Sequence, residues 1–191
     1  RYADDGVVHC KTYQQAVYMQ SVLRERFRLF GLELNEAKTR IIYCKDEDRK
    51  GTYPETSFDF LGYTFRPRLA KNKYGKIFVS FLPAMSGKAV KSLKEEVRGW
   101  KLQLKVSKSL NDIAGMFNSH IQGWISYYGN FYRSELVYFL RYINQCLVKW
   151  VRRKYKRLKH RRRAEYWLGK IARRDKNLFV HWRYGVLPTA G

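Results

Sequence analysis

The sequence predicts an α+β fold, with a small mixed layer first and a mainly α-helical bundle after it. Three observations predict it. An acidic pair sits in a tight-turn sequence at the start, "ADDGVV". Two aromatic-rich runs, "FDFLGYTFRPR" and "KIFVSFL", flank a lysine-rich turn. Beyond Pro83, apolar residues recur every three or four positions, as on the buried face of a helix.

The opening reads as a β-hairpin. Asp-Gly is a favoured turn pair, because glycine accepts positive φ and Asp bonds its own backbone. Tyr2 and Ala3 stand on one side and Val7, Val8 and Cys10 on the other. Asp4 and Asp5 have two readings here. One is a pair of solvated turn residues. The other is a pair of carboxylates whose repulsion a divalent cation relieves, and hard cations such as Mg²⁺ take such oxygen ligands.

A helix follows. Thr12 and Gln15 have capping-box spacing. Ala16, Met19, Leu23, Phe27 and Phe30 share one stripe, and Gly31 suits the end. "LELNEAKTRIIYC" reads as a short strand, a turn over Asn35 to Lys38, and a strand through Ile41 to Cys44. After a polar loop, the aromatic runs form one hairpin joined by "LAKNKYG" and ended by Pro83. Three helices then follow. Ser86 caps one carrying Val90, Leu93, Val97, Trp100 and Leu104. A second carries Ile113, Phe117, Ile121, Trp124 and Tyr128, and Gly129-Asn130 separates it from a third with Leu136, Leu140, Ile143, Leu147 and Trp150.

Charge narrows the partners. The 191 residues hold 39 Lys plus Arg against 16 Asp plus Glu, a net charge of +23. Such a field repels itself on folding and suits an anionic partner, nucleic acid before a membrane surface. Ten of the cations lie in "KWVRRKYKRLKHRRR", Lys149 to Arg163, with no acid among them. The sequence predicts one basic helix here. Lys149, Arg152, Arg153, Lys156, Arg157, Arg161, Arg162 and Arg163 are its candidate phosphate contacts, with an apolar seam of Trp150, Tyr155 and Leu158. No apolar run nears the ~20 residues that span a bilayer, so no membrane role is expected. Cys10, Cys44 and Cys146 lack metal-ligand spacing, and a reducing cytoplasm is the expected location.

Four stretches in order carry a resemblance. "YADD", Tyr2 to Asp5, resembles the catalytic box of reverse transcriptases, and "GLELNEAKT" resembles the palm motif that comes next. "FDFLGYTF" resembles the hairpin that positions a primer end, and "FNSHIQGWISYYGNF" resembles the maturase-specific thumb, or X domain. The chain thereby resembles the reverse transcriptase–maturase proteins encoded by group II introns.

The resemblance implies a partial reverse-transcriptase palm over 1–83, a helical thumb/maturase domain over 84–163 and a basic C-terminal tail over 164–191. It implies that Asp4 and Asp5 are two of three aspartates holding two Mg²⁺ ions, in the two-metal manner. Lys38 would lie near the leaving phosphate, and Tyr2 would pack under the turn. Phe60, Leu61 and Gly62 would form the primer grip. Trp124, Tyr127 and Tyr128 would be structural, and His120 a packing or surface residue. The third aspartate and the fingers are expected upstream, so this stretch alone is not expected to polymerise. No Cys/His-rich endonuclease module follows "NLFVHWRYG", so DNA cutting is not expected. The implied function is RNA-directed DNA polymerase and intron maturase, with group II intron RNA, an RNA template with DNA primer, and dNTP as partners. The alternative is an RNA-binding splicing module without polymerase chemistry.

Overall fold

The computed structural model describes residues 4–49 and 51–188. Tyr2 and Ala3 lie outside them. The chain divides into two compact units, Arg1–Ser57 with Leu69–Ser80, and Phe58–Arg68 with Phe81–Gly191.

In the first unit the expected opening hairpin does not form over the described residues. Asp4 lies in a turn and Asp5 at an isolated bridge, while Gly6 to Cys10 are irregular and Val7 and Val8 are exposed. Helix α1 (Tyr13–Leu29) is built as its sequence indicates. The Thr12 side chain accepts from the Gln15 amide, and Gln15 reaches back to the Lys11 amide at 2.7 Å, one residue before the expected box partner. Gly31 takes φ +69, the left-handed residue that closes a helix. Ala16, Met19, Leu23 and Phe27 form the half-buried side of α1, whereas Phe30 is exposed.

The turn over Asn35 to Lys38 forms, with Asn35 Oδ1 accepting from the Lys38 amide at 3.1 Å. Arg24 grips the turn's Glu36 through two bonds of 2.9 and 3.1 Å, fixing it to α1. The strands expected on either side of it do not form. Residues 41–44 have no regular structure, and the Tyr43 amide donates to the Glu55 carbonyl at 2.8 Å. A strand needs a neighbour along its length, and no described strand lies beside them.

The aromatic runs make two hairpins rather than one. Strands β1 (Phe58–Phe60), β2 (Tyr63–Lys71) and β3 (Ile77–Met85) lie in that order in one sheet. β1 and β2 are antiparallel, with Phe58 opposite Phe65 and Phe60 opposite Tyr63. Leu61 (φ 49) and Gly62 (φ 77) supply the two-residue turn. The second turn is shorter than expected. Asn72 organises it, its Oδ1 accepting from the Tyr74 and Lys76 amides. Pro83 does not end the hairpin, because β3 is an edge strand and runs on to Met85. Buried Arg68 ties β2 to β3 through the Leu82 carbonyl, and its guanidinium lies over the Tyr132 ring.

The second unit holds the main core. Helix α2 (Gly87–Gly99) starts on Ser86, whose side chain accepts from the Ala89 amide. The helix stops before Leu104, because Lys101 turns the backbone at φ 48 into a 3₁₀ turn. Leu102, not Leu104, is therefore the buried residue there. Helix α3 (Leu110–Tyr128) has a full capping box from Ser109 and Asp112, and that bonding holds the Asp112 carboxyl below its usual range. Helix α4 (Arg133–Lys154) buries all five residues of its predicted stripe. Between these helices Trp100 stacks on Phe117 at 4.1 Å and on Trp124 at 5.5 Å, and Trp124 meets Phe139 edge-on.

Two expectations fail at the C-terminal end. The basic stretch is not one helix, since α4 ends at Lys154, Lys156–Leu158 is a 3₁₀ turn and α5 (Arg161–Arg174) begins anew. Nor is 164–191 a tail. Ala164, Leu168 and Ala172 on α5, then Phe179 and Trp182 beside the short α6 (Val180–Arg183), are almost wholly buried. The segment completes the bundle core.

A buried polar knot secures it. Trp182 Nε1 donates to Asn144 Oδ1 at 2.9 Å, and Asn144 Nδ2 donates to the Val186 carbonyl at 3.0 Å. His181 Nε2 also meets that Oδ1, at 2.8 Å, so it must be the protonated ring nitrogen. Its Nδ1 is buried with no partner among the described residues. Burial accordingly pushes the His181 pKa down to about 3. The folded state thus refuses a proton that the unfolded chain accepts below about 6.5. Stability contributed by neutral His181 is complete above pH 6.5 and drains away as pH falls toward 3. Between pH 7 and pH 5 the loss is about 2 kcal/mol. Urea unfolding of the parent and of His181→Gln at both pH values measures it. An equal pH dependence in the two proteins would show that His181 is not the group responsible.

Candidate nucleic-acid interface

The basic residues converge on a corner in the second unit. Nothing in "RRKYKRLKH" is Pro or Gly, yet the chain leaves the helix at Tyr155, at φ −111 and ψ 107. Packing drives the break. Trp150 is fully buried and donates its indole N–H to the Lys105 carbonyl at 2.9 Å. Tyr155 packs edge-on against Trp150 at 6.2 Å and then against Trp167 of α5 at 5.2 Å. Folding Tyr155 back between two tryptophans gains more apolar burial than another helical turn in solvent.

Two cations of the corner serve the fold. Lys154 turns inward, donating to the Val106 and Lys108 carbonyls at 2.7 and 2.8 Å. Arg161 pairs with Glu165 at 2.7 Å. Arg152 is bonded through Nε to the Lys159 carbonyl at 2.7 Å, which orients the rest of its exposed guanidinium. Lys149, Arg153, Lys156, Arg157, Arg162 and Arg163 are exposed, and none pairs with a carboxylate among the described residues. Bending the stretch puts these charges on three short segments rather than around one rod. Exposed Lys170, Arg173 and Arg174 extend the basic side along α5. The sequence reading assigned these three to a basic tail in contact with DNA or intron RNA and named none of them, although they recur at helical spacing from Arg162.

The turn expected as a primer grip lies in the same unit. Phe60 is half-buried and Leu61 exposed. Tyr127 of α3 donates its hydroxyl to the Leu61 carbonyl at 2.8 Å, and the Tyr63 hydroxyl bonds the Tyr127 carbonyl. A Cβ at Gly62 would lie 2.7 Å from the Tyr128 hydroxyl, so glycine is required there for space as well as for φ. Tyr127 and Tyr128 therefore fix the turn on α3. Tyr128 and Tyr63 share a partly desolvated pocket that raises both phenol pKa values. Trp124 is core. His120 is a surface residue bonded to Glu96 at 3.2 Å.

Asp4, Asp5 and Lys38 belong to the first unit and are exposed. No group of three or more His, Cys, Asp or Glu side chains poised for a metal occurs among the described residues. Among them, too, no helix is long and apolar enough to cross a membrane.

Residues 90–167 match the family model described as group II intron, maturase-specific domain. No curated protein and no solved structure matches the chain significantly. The matched region runs from α2 through α3 and α4 into α5, and takes in the aromatic stack, the docked Tyr127–Tyr128 pair and most of the basic corner. The match over residues 90–167 supports reading this stretch as the maturase-specific domain of a group II intron maturase.

Proposed function

We propose that this chain assists group II intron splicing by holding folded intron RNA against the basic corner of α4 and α5. One observation carries the reading. Inside the stretch matched by the maturase-specific domain, eight exposed cations lie within fifteen residues without a carboxylate partner among the described residues. A merely solvated surface mixes its signs. Each phosphate contact releases condensed counterions and adds just under one to the log–log salt slope. Replacing Arg152, Arg153, Lys156 and Arg157 together by Gln lowers that slope by roughly three. RNA binding measured across a salt series checks it, with the quadruple variant's thermal unfolding as a fold control. A slope equal to the parent's would remove the corner from the interface.

A second reading, RNA-directed DNA polymerase, is supported by the paired carboxylates of Asp4 and Asp5 in their turn and by Lys38 in a turn held to α1. Two adjacent hard oxygen donors fit Mg²⁺, though a site that binds it firmly needs further oxygen ligands. Asp4 and Asp5 would hold the metal, which supplies activation of a primer hydroxyl and charge stabilisation on the leaving pyrophosphate. Lys38 would steady the phosphate charge of a dNTP, and the Phe60–Gly62 turn would steer the primer end of a template–primer duplex.

A further inference from the structure

We infer that the outer side of α5 is a stacking site for an unpaired base of RNA, with Tyr166 as its platform. The inference rests on the RNA reading of the second unit and deepens it. α5 has a sharply divided surface. Ala164, Leu168 and Ala172 face the core and are fully buried. Arg162, Tyr166 and Lys170 follow one another at four-residue spacing, which puts them on one side of the helix, and Arg173 and Arg174 continue that side. All five are exposed.

Tyr166 is the anomaly in this row. It is 51% exposed, while its sequence neighbour Trp167 packs inward against Tyr155. Among the described residues no hydrogen bond or packing partner explains an aromatic side chain there, except the Lys170 ammonium poised 4.8 Å from its ring centroid. That ammonium adds no burial. It places a cation over one face of a flat π surface and leaves the other face for a base, with Arg162 one turn before it. A base offers a flat ring and a phosphate together, and this arrangement meets both. A bare phosphate backbone has no use for the ring. The one carboxylate near this side, Glu165, is occupied by Arg161.

The geometry separates base recognition from phosphate attraction, and so does the test. Two RNA hairpins are compared with the complete chain, one fully paired in its stem and one with a single-nucleotide bulge carrying 2-aminopurine. The parent binds the bulged RNA more tightly, and stacking quenches the 2-aminopurine fluorescence. Tyr166→Ala lowers affinity for the bulged RNA by roughly 5- to 100-fold, the range for losing one aromatic–base stack. It leaves the paired RNA within two-fold and the salt slope unaltered. Tyr166→Phe keeps both affinity and quenching. Lys170→Gln reduces the salt slope on both RNAs by just under one. If Tyr166→Ala leaves the bulged RNA unaffected, or weakens both RNAs alike, there is no stacking site. If the parent binds neither RNA, the RNA reading of the unit fails first and this inference fails with it.

Discussion

On the polymerase reading, Asp4→Ala and Asp5→Ala are each expected to slow template-directed DNA synthesis by about a thousand-fold or more. On that reading each would remove a hard oxygen ligand of Mg²⁺, whose role would be to stabilise charge on the leaving phosphate. A thousand-fold corresponds to about 4 kcal/mol of transition-state stabilisation. The two residues lie in the first unit, while the cations of the corner and Tyr166 lie in the second. Intron RNA affinity is therefore expected to stay within a few-fold of the parent, and splicing assistance to persist. Primer extension with Mg²⁺ and dNTP, run beside RNA binding and splicing assays, separates the two roles. Extension at the parent rate makes both aspartates ordinary turn residues. A parent that makes no DNA leaves the splicing function standing alone.

The second large effect is on stability. Asn144→Leu keeps the branched side-chain shape but removes the acceptor shared by the His181 and Trp182 ring N–H groups and the donor to the Val186 carbonyl. Each buried donor left without an acceptor costs about 1–3 kcal/mol. The sum, roughly 3–5 kcal/mol, is a large share of the 5–15 kcal/mol of a typical domain. For a chain of this size the melting temperature should drop by about 10 °C or more. Trp182→Phe removes one of the two orphaned donors in advance. The double variant should thus be less destabilised than the sum of the single ones. Strict additivity would mean that the indole and the amide do not depend on each other.

How far the sequence could be read depended on which contacts decide each element. The stripes of α3 and α4 were legible because buried residues at three- and four-residue spacing are a local pattern, and the caps at Thr12, Ser86 and Ser109 are local too. The turn at Leu61-Gly62 was hidden, since leucine seldom takes positive φ. Its docking on Tyr127 and Tyr128, more than sixty residues away, holds it there. The break at Tyr155 was likewise invisible, because it is made by tryptophans on two different helices. Charge misled the reading of α5, where basic residues on the outer side masked Ala164, Leu168 and Ala172 on the inner one. The strands around Asn35 failed for another reason: strand propensity builds no sheet without a neighbouring strand.

Among the candidate residues, the eight cations of the corner were legible as a composition and not as a shape. Lys154, which was not among them, bonds inward to the Val106 and Lys108 carbonyls. Adjacency alone left Asp4 and Asp5 with two readings, and their metal role is what the resemblance implies.

The Trp150–Tyr155–Trp167 seam has a consequence for the thermodynamics of association. Gathering cations in one place costs repulsion, and immobilising long flexible side chains costs entropy. Here the backbone beneath them is already bent and clamped by three aromatic rings before any ligand arrives. Most of the cost of assembling the charged surface is thus incurred during folding, and an incoming polyanion meets a preorganised surface. Because such a ligand also relieves the repulsion, it binds the folded state in preference to the unfolded one and stabilises the bundle by mass action. Weakening the seam would therefore loosen the grip on RNA without removing a single positive charge.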